Sequence, residues 1–162
     1  MSAVIRTFAE TDTQSILAIN AESVRMLSPM DESRFHRLRE MASLVLVAQT
    51  HFGIGVLLIA FERGADYDST NYQWFDRNEG RFLYIDRVAV SSSCRGQGIA
   101  KRFYAEAIDW ARKRSLLSLV AEINVKPRNA TSLSFHRSTG FREIGSRSPE
   151  PGKIVSLQKL VL

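Results

Sequence analysis

The 162-residue sequence contains one cysteine, four prolines and no long apolar run. A single cysteine cannot form a disulfide within the chain, so we expect a reducing, cytoplasmic setting. No stretch approaches the roughly 18 apolar residues of a membrane-spanning helix, and no secretory signal is evident at the start. His36 and His51 show no metal-ligand spacing with each other or with the cysteine, so we expect no metal site.

The composition is that of a globular protein, with 44% hydrophobic and 24% charged residues. The length fits a single domain covering residues 1–162. The formal net charge of +5 favours a polyanionic ligand. Nucleic acid is the less favoured polyanion because the basic residues are scattered, and the densest group, Lys101, Arg102 and 112–114, also fits a solvated helix face.

Hydrophobic periodicity predicts alternating strands and helices. Helices are expected to begin near Thr11, Asp31, Ile99 and Asn129, the third of them reaching Arg114. Two nearly continuous apolar strands predict a sheet that is covered on both faces. The predicted strands, in order, are Val4–Phe8, Leu44–Ala48, Ile54–Phe61, Arg81–Val90, Leu119–Val125, Phe141–Gly145 and Ile154–Leu160.

The segment Glu62–Gly80 is long, polar and aromatic. A loop of this length inside a compact domain is usually functional or disordered, and its aromatic residues argue against disorder. We therefore predict that it forms a wall of a substrate site. The candidate contacts in this segment are Tyr67, Asp68, Tyr72, Trp74 and Phe75.

A glycine-bearing turn, Arg95–Ala100, lies between a predicted strand and a predicted helix. Backbone amides at a helix start have no partner within the helix, and together with the helix dipole they form an anion site. Gly96 and Gly98 allow unusual dihedral angles and close approach of a phosphate. Neither the dinucleotide fingerprint nor the nucleotide-triphosphate loop fits, and an ordinary strand-to-helix connection is the alternative.

The pattern Arg95-x-x-Gly98-x-Ala100 resembles the acetyl-coenzyme A loop of the GNAT superfamily of N-acetyltransferases. A second element, from Asn129 to Gly140-Phe141, resembles the late helix of that family. The two motifs occur in the family's order, about thirty residues apart. The resemblance spans essentially the whole chain, although the branch it most resembles is known only as predicted acetyltransferases and supplies no substrate.

The resemblance implies an α/β fold (α+β in some schemes): a mixed, mostly antiparallel sheet of six to seven strands with about four helices, splayed between strands 4 and 5. It implies acetyl-CoA as co-substrate and direct attack by a primary amine, of a small molecule or a protein, in a ternary complex. Family members often dimerise, so a homodimer is one expectation. The implied cofactor-binding residues are Val88, Ala89, Val90, Arg95, Gly96, Gln97, Gly98, Ile99, Ala100, Lys101, Asn129, Ser132 and His136.

The family's usual proton donor to the departing thiolate is a tyrosine seven residues after the asparagine, and His136 occupies that position here. An imidazolium is a stronger acid than a phenol, and a neutral imidazole still donates a hydrogen bond. His136 is therefore a candidate catalytic residue. The alternative is a half-buried structural histidine.

The leading candidates for the general base are Asp86 and Glu122, on the fourth and fifth predicted strands. Asn124 shares a strand face with Glu122 and is a candidate substrate contact. Asp86 can alternatively be one end of an ion pair with its neighbour Arg87. Cys94 precedes the glycine turn, but the implied mechanism needs no nucleophile, so we interpret this residue as incidental.

Two other functions remain open at the level of sequence. A non-catalytic acyl-CoA-binding sensor would keep the cofactor loop and lose the chemistry, and the replaced tyrosine is consistent with it. An acetyltransferase acting on RNA-bound amines, or nucleic-acid binding as such, would show steep salt dependence.

Overall fold

The structure is a computed structural model that describes residues 3–24 and 27–162. The described residues form seven strands and five α-helices, which confirms the mixed α/β fold. The strands are β1 (Val4–Thr7), β2 (Leu44–Thr50), β3 (Gly53–Glu62), β4 (Phe82–Val90), β5 (Ser118–Lys126), β6 (Arg142–Arg147) and β7 (Ile154–Val161). The helices are α1 (Thr13–Glu22), α2 (Glu32–Met41), α3 (Thr70–Asn78), α4 (Ile99–Lys113) and α5 (Ala130–Thr139).

The strands form one sheet in the order β1-β2-β3-β4-β5-β7-β6. The pairs β1–β2, β2–β3, β5–β7 and β6–β7 are antiparallel, whereas β4 and β5 are parallel. The parallel register joins Phe82–Tyr84 to Ser118–Val120, although each strand is nine residues long. The splay between the later parts of these two strands stays a prediction.

The first of two compact units comprises Met1–Phe61 and Ile85–Ala107. Its core includes the continuous run Val56–Phe61, in which every residue is fully buried. Successive side chains of a strand point to opposite faces, so β3 is covered on both sides, as its apolar sequence predicts.

The second unit comprises Glu62–Tyr84 and Ile108–Leu162. Its core is aromatic, with Tyr72, Phe75, Phe82 and Tyr84 at the centre. None of the helices in the described ranges is long and apolar enough to cross a bilayer.

The segment Glu62–Gly80, which the sequence predicts to be a loop, contains helix α3. The prediction is therefore wrong for Thr70–Asn78. The Ser69 side chain accepts a hydrogen bond from the Tyr72 backbone N–H at 3.3 Å and caps the helix. Tyr72 and Phe75, three residues apart, face the core. The many Asn, Asp and Ser residues hide this short helical period, because those residue types usually favour turns.

Candidate functional site

The glycine turn lies between the end of β4 and the start of α4. Gly96 and Gly98 have φ angles of +74° and +71°. This left-handed conformation costs a residue with a Cβ about 1–2 kcal/mol, so the backbone here favours glycine. A Cβ placed on either glycine would meet no atom within 4 Å. The space over the turn is therefore open to a ligand.

The first turn of α4 supplies the donors of an anion site. The Arg102 backbone N–H bonds to the Gly98 carbonyl at 3.4 Å. The backbone amides of residues 99–101 precede this bond and have no acceptor within the helix. Residues 95–98 are exposed. Because α4 is fifteen residues long, its dipole adds positive potential at this end.

Two arginines near the turn have contacts of their own. An Arg102 guanidinium nitrogen donates to the Ala3 carbonyl at 3.0 Å, which ties the first turn of α4 to the start of the described chain. Arg95 Nε lies 3.4 Å from the Val90 carbonyl, and its side chain is exposed. Of the two, Arg95 is the better placed to reach a bound phosphate.

Cys94, which directly precedes the turn, packs against Gly55 of β3. The Ser91 backbone N–H donates to the Gly55 carbonyl at 2.8 Å, and a Cβ on Gly55 would lie 2.3 Å from Cys94 Sγ. Cys94 is 5% exposed. These contacts give Cys94 a packing role, in line with its interpretation as catalytically incidental.

The remaining predicted contacts of the first unit lie on the second half of β4. Ala89 is buried, and Val88 and Val90 are half-buried. Asp86 forms an ion pair with Arg87, whose Nε lies 3.1 Å from Asp86 Oδ2. Both side chains are less than a tenth exposed.

The Arg87 guanidinium also bonds Asn20 Oδ1 at 2.9 Å and the Ser28 carbonyl at 3.1 Å. These bonds connect β4 to α1 and to the segment that follows α1. The ion-pair alternative for Asp86 is thus the arrangement found, and it links Asp86 to a structural network.

The late-helix motif sets both ends of α5. The Asn129 side chain accepts a hydrogen bond from the Ser132 backbone N–H at 3.1 Å and caps the start. Gly140, at φ +109°, ends the helix, and the Phe141 N–H donates to the His136 carbonyl at 3.0 Å. These residues therefore have a structural role in the second unit.

His136 lies inside the second unit and is 5% exposed. Its Nδ1 lies 2.7 Å from the Ser132 carbonyl oxygen and 3.2 Å from Ser132 Oγ. Because a carbonyl only accepts, Nδ1 carries the proton. In the neutral ring Nε2 is then an acceptor. The predicted role as proton donor is therefore restricted to the imidazolium form.

Burial lowers the pKa of His136 below its ordinary value, although the bond to the Ser132 carbonyl partly opposes this shift. The unfolded chain therefore binds more protons as pH falls below about 6.5. The stabilisation due to neutral His136 is fully present above that pH and is lost as the pH falls through the folded-state pKa.

We expect His136→Gln to reduce the dependence of the free energy of unfolding on pH below about 6.5, where one proton contributes at most about 1.4 kcal/mol per pH unit. Urea denaturation of both proteins from pH 8 to pH 5 measures the effect. At pH 8 any difference in the free energy of unfolding between the two proteins reflects packing alone. Parallel curves over the whole range would contradict a buried neutral His136.

Glu122 is hydrogen-bonded to Tyr84, a residue that the sequence motifs do not identify. The Tyr84 hydroxyl donates to Glu122 Oε1 at 2.8 Å. Tyr84 is fully buried, whereas Glu122 is partly exposed. Tyr84 pairs with Val120 in the parallel register, so Tyr84 and Glu122 occupy the same face of neighbouring strands. The register of β4 on β5 is the signal that would have identified Tyr84.

The predicted substrate contacts divide into two groups. Tyr67, Tyr72 and Phe75 are buried, and the Tyr72 hydroxyl donates to the Glu62 carbonyl at 2.7 Å, so these rings build the core. Asp68 is exposed and Trp74 is half-buried. The substrate contacts predicted for the 62–80 segment therefore narrow to Asp68 and Trp74.

Asn124, the predicted contact on β5, is half-buried, and its backbone carbonyl accepts from the Asn129 N–H at 3.0 Å. Within residues 3–24 and 27–162, no group of three or more His, Cys, Asp or Glu side chains is arranged to hold a metal ion.

A sequence model of the Acetyltransferase (GNAT) family matches residues 15–141. Many solved structures share the fold, among them three with TM-scores of 0.79, 0.73 and 0.72. Ard1 from Thermoplasma volcanium has a TM-score of 0.79 at 14% identity, over 100% of this chain and 99% of that chain. Ribosomal-protein-alanine N-acetyltransferase from Brucella melitensis has a TM-score of 0.73 at 24% identity, over 98% of this chain and 99% of that chain.

The third structure, yncA from Salmonella typhimurium, was solved with its cofactor acetyl-CoA and has a TM-score of 0.72 at 16% identity, over 99% of this chain and 94% of that chain. At such identities the likeness to solved structures shows the fold. No curated protein sequence matches this chain significantly.

Proposed function

Because the chain belongs to the Acetyltransferase (GNAT) family, we propose that it moves an acetyl group from acetyl-CoA to a primary amine by direct attack in a ternary complex. We further propose that residues 1–162 act as one acetyltransferase domain. The family match, residues 15–141, contains most of both compact units, which supports a single functional domain.

The observation that carries the proposal is the glycine turn at the start of α4. Two neighbouring positive-φ glycines leave open space directly before helix amides that lack internal acceptors. A pyrophosphate is the chemical group that such a turn accommodates. We propose that the amides of residues 97–101 bind the pyrophosphate of CoA, with Arg95 as a side-chain contact.

The remaining proposed contacts to acetyl-CoA are backbone groups of Val88–Val90 on β4, which would pair with the pantetheine arm, and polar groups of α5. Asn129 and Ser132 form the capped first turn of that helix. Since the helix start is itself an anion-binding end, this turn is suited to a polar part of the cofactor.

The reaction forms one bond and breaks one. The amine nitrogen attacks the thioester carbonyl carbon, the C–N bond forms, and the C–S bond breaks. The amine loses a proton to a base, and the CoA thiolate takes up a proton to leave as the thiol. The products are the N-acetyl amine and CoA.

We propose Glu122 as the base. The residue is half-buried on β5, and one carboxylate oxygen accepts the Tyr84 hydroxyl, which favours one orientation of the group. Asp86 is the weaker candidate because its carboxylate is engaged by Arg87 within a buried network. A base must reach the attacking amine, either directly or through one water.

His136 is the candidate for protonating the thiolate, and it acts as a donor from Nε2 only when the ring is an imidazolium. Turnover of His136→Ala at saturating acetyl-CoA and amine decides this role. Reduced kcat with unchanged KM for acetyl-CoA supports it. Normal turnover would leave His136 with its structural role alone.

For the acceptor we propose a primary amine on a small molecule or at a protein N-terminus. The structural neighbour from Brucella melitensis acts on an alanine of a ribosomal protein, which motivates the second option. Asp68 offers a carboxylate to a cationic amine and Trp74 offers an aromatic face.

We also propose a reducing, cytoplasmic setting, since the single cysteine, Cys94, is a buried free thiol. A homodimer stays a prediction. Light scattering coupled to size-exclusion chromatography measures it.

The test is release of CoA from acetyl-CoA in the presence of amino acids, polyamines, aminoglycosides and peptides with free N-termini. Amine-dependent CoA release with formation of the N-acetyl product is the expected result. If acetyl-CoA binds but no amine in a broad panel is acetylated, the transferase proposal fails. A non-catalytic acyl-CoA-binding sensor, which the histidine at the family's tyrosine position favours, then becomes the better explanation.

A further inference from the structure

The bond between Tyr84 and Glu122 joins two strands at the end of their paired segment. Tyr84 and Val120 form the last pair of the parallel register, and Glu122 lies two residues further along β5. The 2.8 Å bond to Glu122 Oε1 therefore spans β4 and β5 on one face of the sheet. Within the second unit, the Tyr84 phenol and the Glu122 carboxylate thus form a hydrogen bond between neighbouring strands.

The Tyr84 ring is held rigidly by other rings. Its centroid lies 5.3 Å from Tyr72 at 73°, 5.8 Å from Phe75 at 52°, and 6.5 Å from Tyr67 at 58°. Edge-to-face and tilted arrangements at these distances are favourable, and the side chain is fully buried. The hydroxyl is thus presented to Glu122 from a fixed position.

A glutamate carboxylate is intrinsically less rigid than an aromatic ring. The last torsion of a glutamate side chain is broad, so an unassisted carboxylate samples many orientations. A phenol O–H that donates to one oxygen selects one orientation, and it also favours the charged form over the protonated form. Both effects are useful to a group that must accept a proton.

The charged and titratable side chains on β7 and α5 near this face have partners of their own. Leu157 of β7 lies opposite Glu122. The charged residue on the same face of β7, Lys159, is paired with Glu79. On α5, which packs against β5, His136 Nδ1 is bonded to its own helix backbone. The Tyr84 hydroxyl, by contrast, donates directly to the Glu122 carboxylate.

We propose that Tyr84 is the positioning residue of this enzyme, orienting the Glu122 carboxylate and keeping it ionised for proton transfer from the acceptor amine. The inference rests on the proposed function in assigning the base to Glu122. The aromatic cluster formed by Tyr67, Tyr72, Phe75 and Tyr84 is then the structural support of the Tyr84 ring.

The test is Tyr84→Phe, which keeps the ring and removes the hydroxyl. We expect the acidic limb of the kcat/KM profile to move to higher pH by about one unit, since loss of a hydrogen bond to a charged group changes a proton affinity by roughly tenfold or more. KM for acetyl-CoA should stay at the wild-type value. A limb at the wild-type pH would overturn the proposal.

Tyr72→Phe is the matched control. It also removes one hydroxyl from the same cluster, but that hydroxyl bonds the Glu62 carbonyl and the Ala65 N–H instead of Glu122. Whatever it does to the rate, its acidic limb should coincide with that of the wild type. Equal shifts in both variants would assign the effect to general loosening of the cluster and reject a specific role for Tyr84.

A second readout is independent of the acceptor. In protein labelled with 13C at glutamate carboxyl carbons, the Glu122 signal is assigned by its absence in Glu122→Gln. The titration midpoint of this signal should rise in Tyr84→Phe and should equal the wild-type value in Tyr72→Phe. An unmoved midpoint refutes the proposal. The acidic limb can also survive in Glu122→Gln while the Glu122 midpoint still rises in Tyr84→Phe. That result would confirm the effect of Tyr84 on Glu122 and reject only the assignment of Glu122 as the base.

Discussion

Glu122→Gln should reduce kcat/KM for the amine by about 10²–10⁴-fold, the usual contribution of a general base, and should abolish the acidic limb of the pH profile. The amide keeps the size of the side chain and still accepts from the Tyr84 hydroxyl, so little change in folding is expected. The affinity for acetyl-CoA should be unchanged. Initial rates from pH 5 to pH 9 at saturating acetyl-CoA measure the loss.

Two further variants make this result specific. Glu143→Gln on β6 replaces a carboxylate of the same unit that bonds Ser156, and it should keep wild-type kinetics. Asp86→Asn should keep the acidic limb but lower the free energy of unfolding by about 3–5 kcal/mol, because it leaves Arg87 buried without its counter-charge. If the limb disappears in Asp86→Asn and survives in Glu122→Gln, Asp86 is the base.

Gly98→Ala should weaken acetyl-CoA binding by about five- to thirty-fold, because an alanine at φ +71° costs about 1–2 kcal/mol and the exposed turn is expected to relax out of its binding conformation. The added methyl group would also occupy the open space over the turn. Calorimetric titration with acetyl-CoA and with CoA measures both affinities. They should fall together, since the pyrophosphate is common to both.

Gly53→Ala is the control for backbone strain. Gly53 starts β3 at φ +103°, and its Cβ would also meet no atom within 4 Å. Its substitution should lower the free energy of unfolding by about 1–2 kcal/mol and leave the affinity for acetyl-CoA unchanged. Unchanged affinity in Gly98→Ala would remove the glycine turn from the cofactor site.

Local sequence signals predicted most of the fold. Apolar runs such as Ile54–Phe61 and the helical period after Ile99 each lie within one element, so the neighbours along the chain carry the information. The motif Arg95–Ala100 is equally local, and its two glycines adopt the positive φ angles that the anion-site interpretation requires. The resemblance to the family rested on two such local motifs taken together.

Features that depend on strand register or side-chain orientation were not predictable in this way. The bond from Tyr84 to Glu122 joins residues 38 positions apart and depends on the register of two parallel strands. The tautomer of His136 depends on a carbonyl one turn earlier, which becomes its partner only when the helix and the ring orientation are known. Pattern alone identified Glu122 and His136 as candidates, but it missed Tyr84 and left the hydrogen-bond partners of all three undefined.

The close packing of Cys94 against Gly55 gives the protein an internal reporter of motion. The single thiol is buried two residues before Gly96, so a thiol reagent reacts with it only when this part of the chain opens. The labelling rate therefore measures how often the turn leaves its closed state. Saturating acetyl-CoA should slow labelling under native conditions and leave the rate unchanged in denaturant, so that ligand binding can be followed without any acceptor amine.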